Sequence, residues 1–259
     1  MLKKIERTVL EHEKRHSFKP EWYGIFFNPF FIARRELYEA VLNFSQTIPK
    51  TARILDVGCG IKPYRHLFAG NEYVGIDVQG GGHDDKAKDV THYFDGTNIP
   101  FPEESFDIVI STQVFEHAKN LEALVSEIHR VLKVGGTLFV TMPFVWPEHE
   151  IPFDFRRLTS FGHRELLERH NFFTEKIVPT TGVFGTCGQI LSDFFVSATN
   201  SLLGRMSSAG FGHKIKFILA RLSVFLICFP VQLFFIVLDS IFQRKGLTLD
   251  YVVYAKKQS

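Results

Sequence analysis

Short apolar runs recur through the middle of the chain, separated by turn residues and by one clear helical stripe. Segments 53–57 (RILDV), 73–77 (YVGID), 106–111 (FDIVIS) and 137–142 (TLFVTM) have the length and the Val, Ile and Phe content of buried strands. A weaker run leads to Asp95. Within 121–132, Leu124, Val125, Ile128, Val131 and Leu132 fall on one face of a helix. Helices are also expected over 32–47 and 162–170, and strands over 173–179 and 249–256. Strands alternating with helices predict an α/β fold with a mostly parallel sheet. Residues 183–245 interrupt this rhythm with a long, largely apolar insertion before the last strand.

The first strand runs into Asp56-Val57-Gly58-Cys59-Gly60, and the second ends at Asp77. Strand, glycine loop, helix, strand, acid is the layout of a nucleotide-type cofactor site. A dinucleotide fingerprint needs a third glycine for its pyrophosphate, and that position is Pro63, which argues against a dehydrogenase. Asp56 before the glycines suits a cationic ligand better than a phosphate. At these residues the chain resembles the class I S-adenosylmethionine-dependent methyltransferases, whose first motif reads L-D-x-G-x-G. Asp95 with Ile99-Pro100-Phe101, Ser105 to Val109, Glu116-His117, and Arg130 to Gly136 match later motifs of that family in order and spacing, with Val134 at the usual proline. They match a subgroup of the type 11 kind.

The resemblance implies a Rossmann-like, seven-stranded, mostly parallel sheet with helices on both faces, plus the helical apolar insertion. It implies S-adenosyl-L-methionine as cofactor and no metal. Asp56, Gly58, Cys59 and Gly60 would line the amino-acid end of the cofactor. Asp77, followed by Val78, would hold the ribose. Asp95 and Gly96 would lie near the adenine, and Gln113 near the methyl group. The expected organisation is an N-terminal helical and aromatic cap (1–50), the cofactor-binding core (51–182), the insertion (183–245) and the last strand (246–259).

On the acceptor side, His149-x-x-Pro152-x-Asp154-Phe155-x-Arg157-x-Thr159 is similar to a methyltransferase subgroup associated with bacterial surface-glycan biosynthesis. His149 is the first choice for general base, since a histidine titrates near neutral pH; a purely structural tie to Asp154 is the alternative. His117 is the second choice. Trp146, Asp154 and Arg157 are candidate acceptor contacts, with an Asp154–Arg157 pair as the simpler reading.

Composition adds less. A formal net charge of +2 gives no basic field for nucleic acid. Three scattered cysteines argue for a reducing, cytoplasmic setting without disulfides. The start of the chain, expected to be an exposed helix over 2–16, lacks the apolar core of a signal peptide. Phenylalanine is abundant, with 28 residues. Phe18, Trp22, Tyr23, Phe26, Phe27, Phe30 and Phe31 crowd one segment, which would pack on the core, roof the pocket or touch a membrane.

Segment 217–242 has the length and apolarity of a membrane helix, but holds Arg221, Pro230 and Gln232. If 249–256 return to the sheet, a single crossing is excluded. A monotopic helix at the inner face of the membrane, flanked by Lys214, Lys216, Arg221, Arg244 and Lys245, is the leading expectation. A soluble lid or self-association surface, and a hairpin with 183–204, stay open. The acceptor is then a glycan or lipid-linked molecule; a soluble metabolite and a non-catalytic binding role are the alternatives.

Overall fold

The computed structural model describes residues 18–80, 82, 84–208, 213–242 and 246–259. The helix expected over 2–16 lies outside them, as do Arg244, Lys245 and the side chains of Lys214 and Lys216. In chain order the elements are a 3-10 turn (Trp22–Phe26), α1 (Phe31–Ser45), β1 (Arg53–Val57), β2 (Glu72–Val78), β3 (His92–Phe94), β4 (Phe106–Thr112), α2 (Leu121–Val131), β5 (Leu132–Pro143), α3 (Ser160–Arg169), β6 (Phe172–Pro179), α4 (Val183–Ser208), α5 (His213–Ser223), a π-helical turn (Val224–Cys228), α6 (Phe229–Phe242) and β7 (Asp250–Lys257). They fall into two units, one comprising residues 40–180 and 249–259, the other the described residues to Glu39 with 181–248. The N-terminal segment and the insertion, separate in the sequence reading, thus share one unit.

The first unit is a seven-stranded sheet in the order β3-β2-β1-β4-β5-β7-β6. β3, β2, β1, β4 and β5 pair in parallel; β7 runs antiparallel to both β5 and β6. β1 and β2 are buried along nearly their whole length, which explains why they read as continuous apolar runs rather than alternating ones. Successive β5 side chains serve opposite faces. Leu138, Val140 and Met142 join Leu124, Val125, Ile128 and Val131 of α2 and Leu166 and Leu167 of α3 in one core. Phe139, between them, stacks on Phe44 of α1 with ring centroids 4.3 Å apart. Helices therefore cover both faces.

Two local expectations change. The glycine loop is followed not by a helix but by a single 3-10 turn, Arg65–Phe68. Lys62 sits at φ 50° directly before Pro63, and a residue preceding proline is disfavoured in the helical region. Strand β5 also begins earlier than 137, because Leu132 already pairs with Phe106 across a register shift. Gly135, at φ 76°, and Gly136 lie inside this irregular start; a Cβ on Gly136 would stand 2.8 Å from the Lys133 carbonyl.

In the second unit α4 and α6 pack antiparallel. Gly185 faces Asp239, Gly188 faces Phe235, and the Cys228 thiol contacts the Ser192 carbonyl at 3.7 Å. A Cβ on Gly188 would come within 2.5 Å of Phe235, so glycine sets the close approach. Phe26 packs on Phe229 at 4.6 Å between ring centroids. The polar residues that weaken a membrane reading are turned inward. Gln232 accepts from the Ile32 amide (3.4 Å) and donates to the Asn28 carbonyl (3.1 Å); Gln189 accepts from the Ala33 amide (3.1 Å) and donates to the Pro29 carbonyl (3.0 Å). Two buried amides so cap the first turn of α1, whose N–H groups have no partner within the helix. Gln232→Leu should cost about 1–3 kcal/mol in urea unfolding by stranding that amide and carbonyl; an unchanged midpoint would show that the cap is dispensable.

Inward polar residues leave the outer face apolar. Across 218–242 only 17% of the most apolar window is buried, and Leu226 (64% exposed), Phe234 (59%) and Ile241 (65%) face outward. The run is not a buried core helix.

Candidate functional site

The strand order reverses between β1 and β4, and in open α/β sheets ligands bind at the carboxyl ends of the strands at this switch point. The loop after β1 is built for close approach. Gly58 and Gly60 have φ of 73° and 50°, a region that favours glycine. The Gly58 and Cys59 amides donate to the Ile76 carbonyl at 2.8 and 3.0 Å, and the Gly60 amide donates to Asp77 Oδ2 at 2.8 Å. A Cβ on Gly58 would lie 2.3 Å from Val114, whereas one on Gly60 would meet nothing within 4 Å. Gly58 is thus locked against the loop after β4, and Gly60 borders open space. Gly58→Ala should lower the melting temperature by several degrees and weaken cofactor binding at least tenfold, through φ strain and the Val114 clash; calorimetry on the folded variant checks the second part.

Asp77 closes this turn. Its Oδ1 accepts from the Val78 amide at 2.7 Å and from Lys88 Nζ at 3.3 Å. Lys88 is almost wholly buried, and also donates to the Val78 carbonyl (2.7 Å) and pairs with Asp85 (2.9 Å). Asp56 lies deeper: it is buried, accepts from the Tyr73 hydroxyl at 2.6 Å, and is pushed up to about 7, chiefly by burial. Cys59 is buried, its Sγ 3.7 Å from the Asp89 carbonyl, and its thiol is held well above the usual range by burial and the nearby carboxylates. It is packing rather than a nucleophile.

Gly96, at φ 88°, has the Val78 side chain 3.4 Å from where its Cβ would be, so Val78 and Gly96 face each other beyond β2. Asp95 folds on its own loop, accepting from the Thr97 and Asn98 amides at 2.8 and 2.7 Å, and the Asn98 side-chain bond holds its carboxyl below the ordinary range. Gln113, at φ 58°, commits its amide to Asp250 (3.0 Å) and Thr141 (3.3 Å), on β7 and β5.

The acceptor-side residues converge. His117 and His149 stand edge to face, ring centroids 4.8 Å apart. His117 Nδ1 is 2.9 Å from the Phe153 carbonyl. His149 Nδ1 lies 3.2 Å from Asp154 Oδ2 and 3.3 Å from the Pro147 carbonyl, and its amide donates to Asp154 at 3.1 Å. Asp154 is gripped by both terminal nitrogens of Arg157, one at 2.7 Å, and this bidentate pair holds its carboxyl down at about 2. Burial, then the neighbouring His117, pushes His149 below its ordinary value. Beneath both rings is Glu116, fully buried, with no hydrogen-bond partner for either oxygen among the described residues, and raised by burial to about 8. Trp146 is half-buried on the same loop, and Ile151, Phe153 and Phe155 are exposed there.

Comparisons with known proteins bear on the same stretch. Residues 55–140 match the family described as a methyltransferase domain. These residues carry a methyltransferase domain.

Among curated proteins, the sterol 24-C-methyltransferases of Gibberella zeae and Pneumocystis carinii are 40% and 34% identical over 120 and 142 residues. These matches cover 40% and 46% of this chain and 30% and 36% of the relatives, so the chain spans about a third of the length of the curated relatives it matches. Among solved structures, phosphoethanolamine N-methyltransferase 2 of Haemonchus contortus, in complex with S-adenosyl-L-methionine, superposes with TM-score 0.52 at 18% identity, covering 92% of this chain and 56% of that one. A methyltransferase of Thermotoga maritima gives TM-score 0.52 at 15% identity, covering 98% and 97%. Both share the fold.

Within this methyltransferase domain, the residues quoted from the sequence motifs fall into two groups, one at the glycine turn and the end of β2 (Asp56 to Gly60, Asp77, Val78, Gly96) and one around the paired histidines (His117, His149, Asp154, Arg157). Tyr73, Lys88, Glu116 and Asp250 are the partners that motif reading did not single out as site residues. Only Glu116 carried a signal, as the residue before His117; Lys88 sits in a polar loop with nothing to mark it as buried.

Proposed function

We propose that this protein transfers the methyl group of S-adenosyl-L-methionine to a hydroxyl of a lipid or lipid-linked acceptor at a membrane surface. The observation that carries methyl transfer is the glycine turn bonded to the Asp77 carboxylate at the switch point, a pocket edge suited to ribose and not to pyrophosphate. In this reading the ribose hydroxyls share Asp77 with the Gly60 and Val78 amides. The cofactor's ammonium and sulfonium favour the ionised form of buried Asp56, which the protein alone holds half-protonated near neutrality. The acceptor oxygen enters beside His149. The His149 imidazole would take the hydroxyl proton, and bound S-adenosylmethionine would supply the methyl group to that oxygen, its sulfur keeping the electron pair of the broken C–S bond. In-line placement, rather than a strong base, supplies most of the acceleration.

The membrane part rests on the outward apolar side chains of 218–242. Thr181 donates its amide to Thr248 at 3.1 Å, so the insertion starts and ends side by side, which suits a helix lying in a surface rather than one that crosses once. In this reading the surface is the inner, cytoplasmic face of the membrane. The names of the sterol methyltransferase relatives fit an apolar acceptor; the acceptor-loop pattern fits a lipid-linked glycan. A soluble metabolite, with the insertion as lid or self-association surface, is the second reading.

Incubation with radiolabelled S-adenosylmethionine and membrane lipid extract should move label into a lipid-phase product. Label appearing solely in a water-soluble product would favour the second reading, and no label transfer to any fraction would remove the enzymatic one. Flotation with phosphatidylglycerol-containing vesicles should carry the wild type but not a Leu226→Glu/Phe234→Glu/Ile241→Glu variant.

A further inference from the structure

We propose that Glu116, His117 and His149 bind one divalent transition-metal ion. One donor atom from each of the three lies within 4.8 Å of the others, with His117 Nε2 3.7 Å from Glu116 Oε1. Around zinc, ligand atoms at about 2.0–2.1 Å stand roughly 3.4 Å apart, so closing the set takes movements of about an ångström.

The rings are already oriented for it. A carbonyl only accepts, so the contact of His117 Nδ1 with the Phe153 carbonyl places the proton on Nδ1 and leaves the Nε2 lone pair directed at Glu116. His149 Nδ1 likewise lies against the Pro147 carbonyl and Asp154, and Arg157 holds Asp154 in turn. A carboxylate or carbonyl fixing the far nitrogen of an imidazole is the usual outer support of a metal ligand.

The independent observation is Glu116. It is fully buried, and neither carboxyl oxygen has a hydrogen-bond partner among the described residues, a costly arrangement for a group placed only for packing. A cation at the two imidazoles supplies the missing partner. Two nitrogens and one carboxylate suit zinc, iron, cobalt or nickel in the divalent state better than magnesium or calcium, which favour all-oxygen sites. Glu150 Oε1, 3.8 Å from the same His117 nitrogen, is within reach of a further position. The sequence gives no recognisable metal motif, and the reading made from it expects none.

What the ion would do rests on the methyl-transfer reading: an open position would take the acceptor oxygen and ease loss of its proton, replacing His149 as proton acceptor. Binding itself does not rest on that reading and is measured without cofactor or acceptor. Chelator-stripped protein is titrated with Zn2+ by calorimetry and with Co2+ by visible absorption. One equivalent should bind per chain, at least tenfold more weakly in Glu116→Gln and in His149→Ala, and about 10–100-fold more weakly in Asp154→Asn. Imidazole NMR of the wild type, which needs no variant to fold, should show Zn2+ shifting two of the 11 histidines. Less than one equivalent bound, affinity unchanged in both Glu116→Gln and His149→Ala, or shifts at histidines other than 117 and 149 would each overturn the site.

Discussion

Asp77→Ala should abolish cofactor binding at practical concentrations and also destabilise the fold. On the proposed function, loss of the carboxylate removes the charged partner of the ribose hydroxyls, worth about 1.5–3 kcal/mol per bond, so for two bonds at least a hundredfold loss in affinity is expected. It also frees the Gly60 amide, which anchors the turn. The stability cost has a different origin. The Lys88 side chain is nearly fully buried and, among the described residues, would keep only Asp85 as an ionic partner. Removing one member of a buried pair typically costs about 3–5 kcal/mol, because the other charge stays behind uncompensated. Asp77→Ala/Lys88→Met separates the effects: stability should largely return while binding stays lost. Recovery of binding in the double variant would show that Asp77 serves only to neutralise Lys88.

The second large effect is on stability against pH, through His163 on α3. Its ring is buried beside Tyr251, and burial holds it at about 4. The unfolded chain has a histidine near 6.5. Below 6.5 the unfolded state takes up a proton that the folded state refuses, so stability falls as pH drops from about 6.5 to about 4. The full cost is about 3 kcal/mol at or below pH 4, about 2 at pH 5, and nothing above 6.5. Wild type and His163→Leu, compared by urea unfolding at pH 7.5 and pH 5, should differ in their loss by about 2 kcal/mol, the variant losing less. Equal losses would mean that His163 titrates normally in the folded protein.

The legible parts of this chain were those with a local pattern. The runs at 53–57 and 106–111 read as strands because both faces are covered, and the stripe from Leu124 to Leu132 as a helix because only one is. The glycine loop read as a cofactor turn because Gly58, Gly60 and Asp77 are placed by spacing along two consecutive strands. Three things were hidden because their partners meet them only in the folded chain. Gln232 and Gln189 looked like flaws in an apolar segment, since the amides and carbonyls they satisfy lie some 160 to 204 residues away. Lys88 gave no sign of burial, because its ionic partners emerge only when β2 and its loop fold together. Gln113, read as near the cofactor methyl, also bonds to Asp250, 137 residues further along the chain.

The placement of β7 between β5 and β6 has a consequence for how the protein is made. Among the described residues β6 hydrogen-bonds to no strand but β7, which follows all the other strands of the sheet in the chain. Until then β6 waits with an open edge, and the apolar stretch 218–242 has been synthesised before the sheet can close. Pairings of such high sequence separation form late and leave sticky surfaces exposed meanwhile. A nascent chain of this design has reason to meet a membrane or a chaperone before its sheet is complete.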